Sequence, residues 1–210
     1  MAEQAMGAQE SHMQAAYGET EEIIHRRQRL GVLLFIGADA VFVAAALFTY
    51  FYLRGLNTEG GWLPKGVKTV TAVDAWSVAG IIIVSAIVYQ VARRAGNAGN
   101  AGALRSALVI AFLLVIGDLV LQVVQIGAQT FTTASGAYAS SYFIMAAYHV
   151  FHLVILMLLG LGLLIRVMKG MYAEPGQRNQ LDLMGLVWTW AAVSATLFAI
   201  ALLFTGAPQL

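Results

Sequence analysis

SSYFIMAAYHVFHLVILMLLGLGLLIRVMK, residues Ser140 to Lys169, decides how this chain is read. Between Ser141 and Ile165 its strongly polar side chains are Ser141, His149 and His152, and a basic stop follows at Arg166 and Lys169. A helix over that segment rises roughly 37 Å, enough to cross a hydrocarbon layer of about 30 Å. His149 and His152 are spaced i, i+3, so they share one face a turn apart. An imidazole nitrogen without a partner is costly in hydrocarbon, so that face is expected to meet protein or another polar group.

The rest of the chain has the same character. Of its 210 residues 60% are hydrophobic and 11% charged, and the mean hydropathy is +0.75. A water-soluble domain of this size needs more surface charge. The formal net charge of +1 carries no signal for nucleic acid. Without cysteine, the chain has no disulfides, Cys-based zinc sites, iron–sulfur clusters or Cys-ligated dinuclear copper. Of four histidines, His12 and His25 lie in a polar N-terminal arm, read as residues 1–29 and cytoplasmic. Residues 1–24 are polar and acidic and do not read as a signal peptide.

Five apolar segments stand out, at about 31–53, 73–92, 105–127, 141–165 and 183–204, each near the roughly 20 residues of a spanning helix. The fold class is therefore all-α: a polytopic membrane helix bundle of five transmembrane helices occupying residues 30–210. Nine cations (Arg26, Arg27, Arg29, Arg93, Arg94, Arg105, Arg166, Lys169 and Arg178) flank one set of helix ends, and three (Arg54, Lys65 and Lys68) the other. The bias places the N-terminus inside and the C-terminus outside. Arg94 to Gly102 (RAGNAGNAG) reads as a flexible turn, GGWLPKG at 60–66 as an outer loop with Trp62 near the headgroups, and 173–180 as an inner loop. Ala72, Ala79 and Ala86 recur at helix-packing spacing.

Polar residues inside the spans are the candidate functional groups. Asp39 lies about a third of the way into the first apolar segment from the basic end; it reads either as a proton or headgroup site at a subunit contact, or as a protonated acid that hydrogen-bonds two helices together. Asp118, Gln122, Gln125 and Gln129 form a stripe at i, i+4, i+7 and i+11, which also suits plain interhelical adhesion. Counting from the span boundaries brings Asp118 and His152 both near the midplane, so those two are expected to pair. Two imidazoles on one face do not bracket a haem plane. A metal there requires Asp118 and another acid to converge on them.

These residues also resemble a family. GAYASSYFIMAAYHVFHLV, Gly136 to Val154, resembles the segment of haem–copper oxidase (cytochrome c oxidase) subunit III in which a serine- and glycine-bearing turn leads into a helix carrying His-x-x-His. Gly37, Ala38 and Asp39, in an aromatic-rich span ending TYFYLR, resemble the family helix with an acid after a small residue, and Asp182 followed by Trp188 resembles the start of its last helix. Five helices match the shorter bacterial form, and the resemblance covers roughly residues 27–206. The chain departs where the family has glutamate at the positions of Asp39 and Asp182, and glutamine followed by glutamate at Gln122 and Gln125. Thr189, Trp190 and Ala192 stand where His-Phe and an aspartate are expected. It is identified as a divergent member.

The resemblance implies a non-catalytic core subunit that packs against subunit I, holds phospholipid and supports proton uptake during aerobic electron transport. Haem and copper belong to subunits I and II, and this chain holds no cofactor of its own. Asp39 would lie near the subunit I contact, and His149, His152 and Asp182 in the polar network of the larger helix group. The expected location is the bacterial cell membrane, in a hetero-oligomer. The accessory subunit of nitric oxide reductases resembles the chain nearly as well. A small proton-coupled transporter using Asp39, Asp118 and the histidines, and an intramembrane metal-dependent enzyme, are further readings of the same residues.

Overall fold

The computed structural model describes residues 21–57, 61–63, 66–172 and 178–205, and these form five helices joined by turns, with no strand among the described residues. They are α1 (Glu21–Leu56), α2 (Ala72–Asn97), α3 (Ala101–Gly127), α4 (Ala137–Met168) and α5 (Asn179–Leu202). All five are long and apolar enough to cross a membrane. The all-α, five-span reading therefore holds. The expectations for residues 1–20 fall outside the described residues.

The helix ends differ from the apolar boundaries, for local reasons. α1 begins at Glu21, within the stretch read as a polar arm, because polar residues continue a helix freely once it leaves hydrocarbon; Glu22 and Arg26 pair at i, i+4 on that extension. The RAGNAGNAG stretch is tighter than expected. α2 runs to Asn97, Gly99 turns the chain at φ 77°, and the Asn100 side chain accepts from Ala103 N–H to cap α3. Thr71 caps α2 in the same way through Asp74 N–H.

α4 packs against α3, α5 and α1, α5 also packs against α2, and α2 against α3. The result is a four-helix unit, α2 to α5, with α1 lying over the α4–α5 side. Consecutive helices run antiparallel, so the nine-cation group gathers at one end, where Arg93 meets Asp182 and Tyr89 donates to Leu181 O (3.0 Å). At the opposite end aromatics gather around Trp62. Trp62 is fully buried, donates to Thr205 O (2.9 Å) and stands edge-on to Tyr50 and Tyr138, so it is withdrawn from the headgroup position expected of it. Tyr50 and Tyr138 in turn bond to Phe204 O and Val70 N–H.

The core is thin because small residues let backbones approach. Ala79 and Ala86 are buried on α2 as expected, whereas Ala72 is exposed at its start. Gly160 marks the tightest point on α4: a β-carbon there would stand 2.7 Å from Phe112 and 3.0 Å from Trp188, and Trp188 is fixed by stacking on Tyr89 and donating to Ser85. Gly117 on α3 meets nothing within 4 Å. Gly160→Leu should lower stability by about 1–3 kcal/mol or more through overpacking, while Gly117→Leu leaves it close to the parent. Thermal unfolding in detergent reads the difference.

Candidate functional site

The polar residues of the spans resolve into two aspartate–histidine pairs organised by α4. His152, near the middle of α4, faces Asp39, at the middle of α1, with Nε2 2.9 Å from Oδ2. Asp39 is saturated with partners: the Tyr148 hydroxyl donates to Oδ1, and the Trp190 indole N–H of α5 donates to Oδ2. Tyr148 is held by stacking on Phe42 of α1, ring centres 4.2 Å apart. On its far side the His152 ring meets Ser194 Oγ, 3.1 Å from Nδ1, and the serine hydroxyl donates to Ala191 O. With that proton committed to the carbonyl, Ser194 accepts from His152 Nδ1–H. The Asp39–His152 pair is then neutral overall, whether the remaining proton sits on imidazole or carboxyl, which suits its burial.

The second pair is His149 with Asp118 of α3, Nε2 to Oδ2 3.2 Å. Asp118 is fully buried and His149 is 3% exposed. Among the described residues, Asp118 Oδ1 and His149 Nδ1 have no hydrogen-bond partner. Among the described residues no third His or acid gathers with either pair.

The expected Asp118–His152 pairing is thus corrected. Asp118 lies one turn past the middle of α3 toward its C-terminus, and the antiparallel residue level with it on α4 is His149, one turn before the middle. His152 is taken instead by Asp39, which was expected nearer the basic end. The ten extra residues at the start of α1 move its midpoint onto Asp39.

The glutamine stripe stays on one face but divides its work. Gln122 is buried, Gln125 donates to Asp74 O (3.1 Å) and Ser77 Oγ (3.0 Å), and Gln129 donates to Gln125 O and Tyr142. Asp182 is not joined to this network. It stands in the first turn of α5 with 46% of its side chain exposed, beside Arg93 (3.4 Å) and Asn97 (3.3 Å), because its turn lies at the basic end rather than within the bundle. Tyr148, Trp190 and Ser194 are site residues that sequence reasoning missed. Tyr148 sits four residues before His152 and Ser194 four after Trp190, so helical spacing from the flagged residues was the available signal.

The full length of the bundle matches a family model described as cytochrome c oxidase subunit III, over residues 8–199. Similar curated proteins carry the name cytochrome c oxidase subunit 3: from Trichophyton rubrum, 28% identical over 142 residues; from Oryctolagus cuniculus, 27% over 143; and from Kluyveromyces lactis, 28% over 145. Each match takes in 66% of this chain and 53–54% of the relative, so the chain spans about half the length of the curated relatives it matches.

The pairing makes a quantitative prediction. Double-mutant cycles should show strong coupling for Asp39→Ala with His152→Ala and for Asp118→Ala with His149→Ala, and near-additivity for Asp118→Ala with His152→Ala. Asp39→Ala, which strands an imidazole, an indole N–H and a phenol, should cost about 3–5 kcal/mol and exceed Asp118→Ala, which strands one ring nitrogen. Unfolding midpoints of the purified variants supply the test.

Proposed function

Because the chain belongs to the cytochrome c oxidase subunit III family, we propose that it is a non-catalytic core subunit of a respiratory haem–copper terminal oxidase, supporting assembly and proton uptake by subunit I. The observation that carries this reading is a family match that reaches into all five helices of a multi-pass membrane protein. The names found among relatives are those of oxidase subunits, and they lend no support to a nitric oxide reductase accessory subunit or a transporter.

The partners in this reading are subunits I and II, which would hold the haem and copper, in a bacterial cell membrane with the nine-cation end on the cytoplasmic side. The outer face of α1 suits the subunit I contact. It presents Leu34, Phe35, Val41, Phe42 and Phe48 at the level of Asp39 and beyond, and α1 is the helix that the bundle itself covers least. A groove of about 480 Å³ between α1, α4 and α5 suits phospholipid, with Leu158, Leu159 and Leu163 for an acyl chain and Gln28, Arg166 and Gln180 at its polar end.

Gentle solubilisation should recover the chain together with a haem-bearing polytopic subunit. Recovery as a lone, cofactor-free monomer, under conditions that keep other respiratory complexes whole, would sink the proposal. Native mass spectrometry of the complex should find phospholipid on this subunit, and Gly162→Phe, which fills the groove, should diminish it.

A further inference from the structure

The Asp118–His149 pair differs from its neighbour in being incompletely satisfied. In any protonation state an imidazole nitrogen is either a donor or an acceptor, and burial without a partner disfavours it. Ser194 satisfies this need for His152, but among the described residues nothing does so for His149 Nδ1. His149 instead borders a cavity of about 40 Å³ lined chiefly by residues of α2, α3, α4 and α5. The polar walls are His149, Gln122, Gln125 and Tyr142, and the space exists because the facing positions are small, including Ala79, Ala146, Ala195 and Ala199. That volume has room for roughly three waters, with the polar partners that internal water needs.

The cavity has a direction. Toward the end that holds Trp62, hydrogen bonds lead from its polar walls to half-buried groups: Tyr142 to Gln129, and Gln125 to Ser77 and Asp74 in the first turn of α2. Toward the basic end, Asp118 is followed by a dry layer of Val115, Ala111, Leu153, Leu156 and Trp188, all fully buried, in which Ser85 is already bonded to Ala111 O and Trp188 Nε1.

We propose that this cavity is a hydrated, one-sided inlet through which the Asp118–His149 pair exchanges a proton with the membrane face bearing the α3–α4 turn. In the deprotonated pair, His149 donates Nε2–H to the Asp118 carboxylate and offers Nδ1 as a bare acceptor to water. A hydronium at the cavity gives up one O–H bond, Nδ1 gains one N–H bond and a water remains. The imidazolium keeps its Nε2–H toward the carboxylate, so the pair gains one proton, its charge moves from −1 to zero and no electron is transferred. The ionisable groups around it are His152, Tyr142 and Tyr148 on α4, Asp39 on α1 through His152, and Asp74 on α2 through Gln125; α5 carries Asp182 alone, at the opposite end.

Solid-state NMR of the native complex in liposomes, with histidine ring nitrogens labelled, tests the inlet directly. A signal that His149→Gln removes should show contact with water. It should also change from the unprotonated to the protonated form as the pH is lowered. The His152 signal should show no such water contact. In vesicles of uniform orientation the change should follow pH on the face bearing the α3–α4 turn. A His149 ring without water contact, one that keeps a single protonation form as the pH is lowered, or one that follows only the opposite face would overturn the proposal. Ala199→Leu, which fills the cavity, should abolish the water contact in the folded complex, and its persistence there would also count against the inlet. Should that variant fail to assemble, the parent spectra decide alone.

Discussion

A polar atom carried into hydrocarbon must be met by another polar atom of the protein or by water, and α4 carries two imidazoles there on one face. The arrangement of the other helices follows from how these rings are met. His149 turns to Asp118 and ties α4 to α3, while His152 turns to Asp39 and ties α4 to α1. α5 is drawn in by Trp190 and Ser194, which complete the shell around the Asp39–His152 pair. Apolar packing between membrane helices is nearly indifferent to sliding or rotation, since lipid chains offer equivalent contacts. The buried pairs are not indifferent, and they set depth and rotation together.

This division of labour is clearest for α1. Its membrane-spanning part is the least covered of the five, and its contacts run along a narrow strip through Asp39, Val43 and Tyr50. Val43 contributes packing, Tyr50 fastens the far end through Phe204 O, and Asp39 supplies the fixed point in the middle. A helix held mainly by one saturated carboxylate and one phenol keeps most of its surface available to a neighbouring subunit, so the acid at its centre serves the assembly by holding that surface in place.

The number and extent of the spans were legible because hydrocarbon demands about twenty apolar residues in a row, and nothing else in this composition produces five such runs. Which polar residues share a face was also legible, from the helical period alone. The pairing across helices was not. Pairing depends on level, and level depends on where helices end, which for α1 is ten residues, seven of them polar, before the apolar run begins. Asp182 misled for a related reason: near the end of an apolar run, one turn separates a buried acid from one half exposed at the surface beside Arg93. Trp62, placed with the headgroups by its loop, is fully buried because a carbonyl at Thr205 waits for its indole N–H.

The departures from the pattern of the family are connected by the geometry. An aspartate at position 39 is one methylene shorter than the glutamate that the resemblance leads one to expect, so its carboxyl stays close to α1, within reach of Tyr148, His152 and Trp190. Trp190, another departure, stands on α5 where its indole N–H meets that retracted carboxylate, so shorter acid and larger donor together keep the centre of the bundle saturated. On α3, Gln125 stands where the resemblance leads one to expect an acid, and a carboxylate occurs two turns deeper, at Asp118, level with His149. Moving the charge inward brings it to an imidazole that would otherwise face the core alone. It also leaves the outer turns to amides and a phenol, which can line a wet space without carrying charge. Each departure makes physical sense only beside another, which is what a rearranged interior requires when no buried polar atom is cheap to strand.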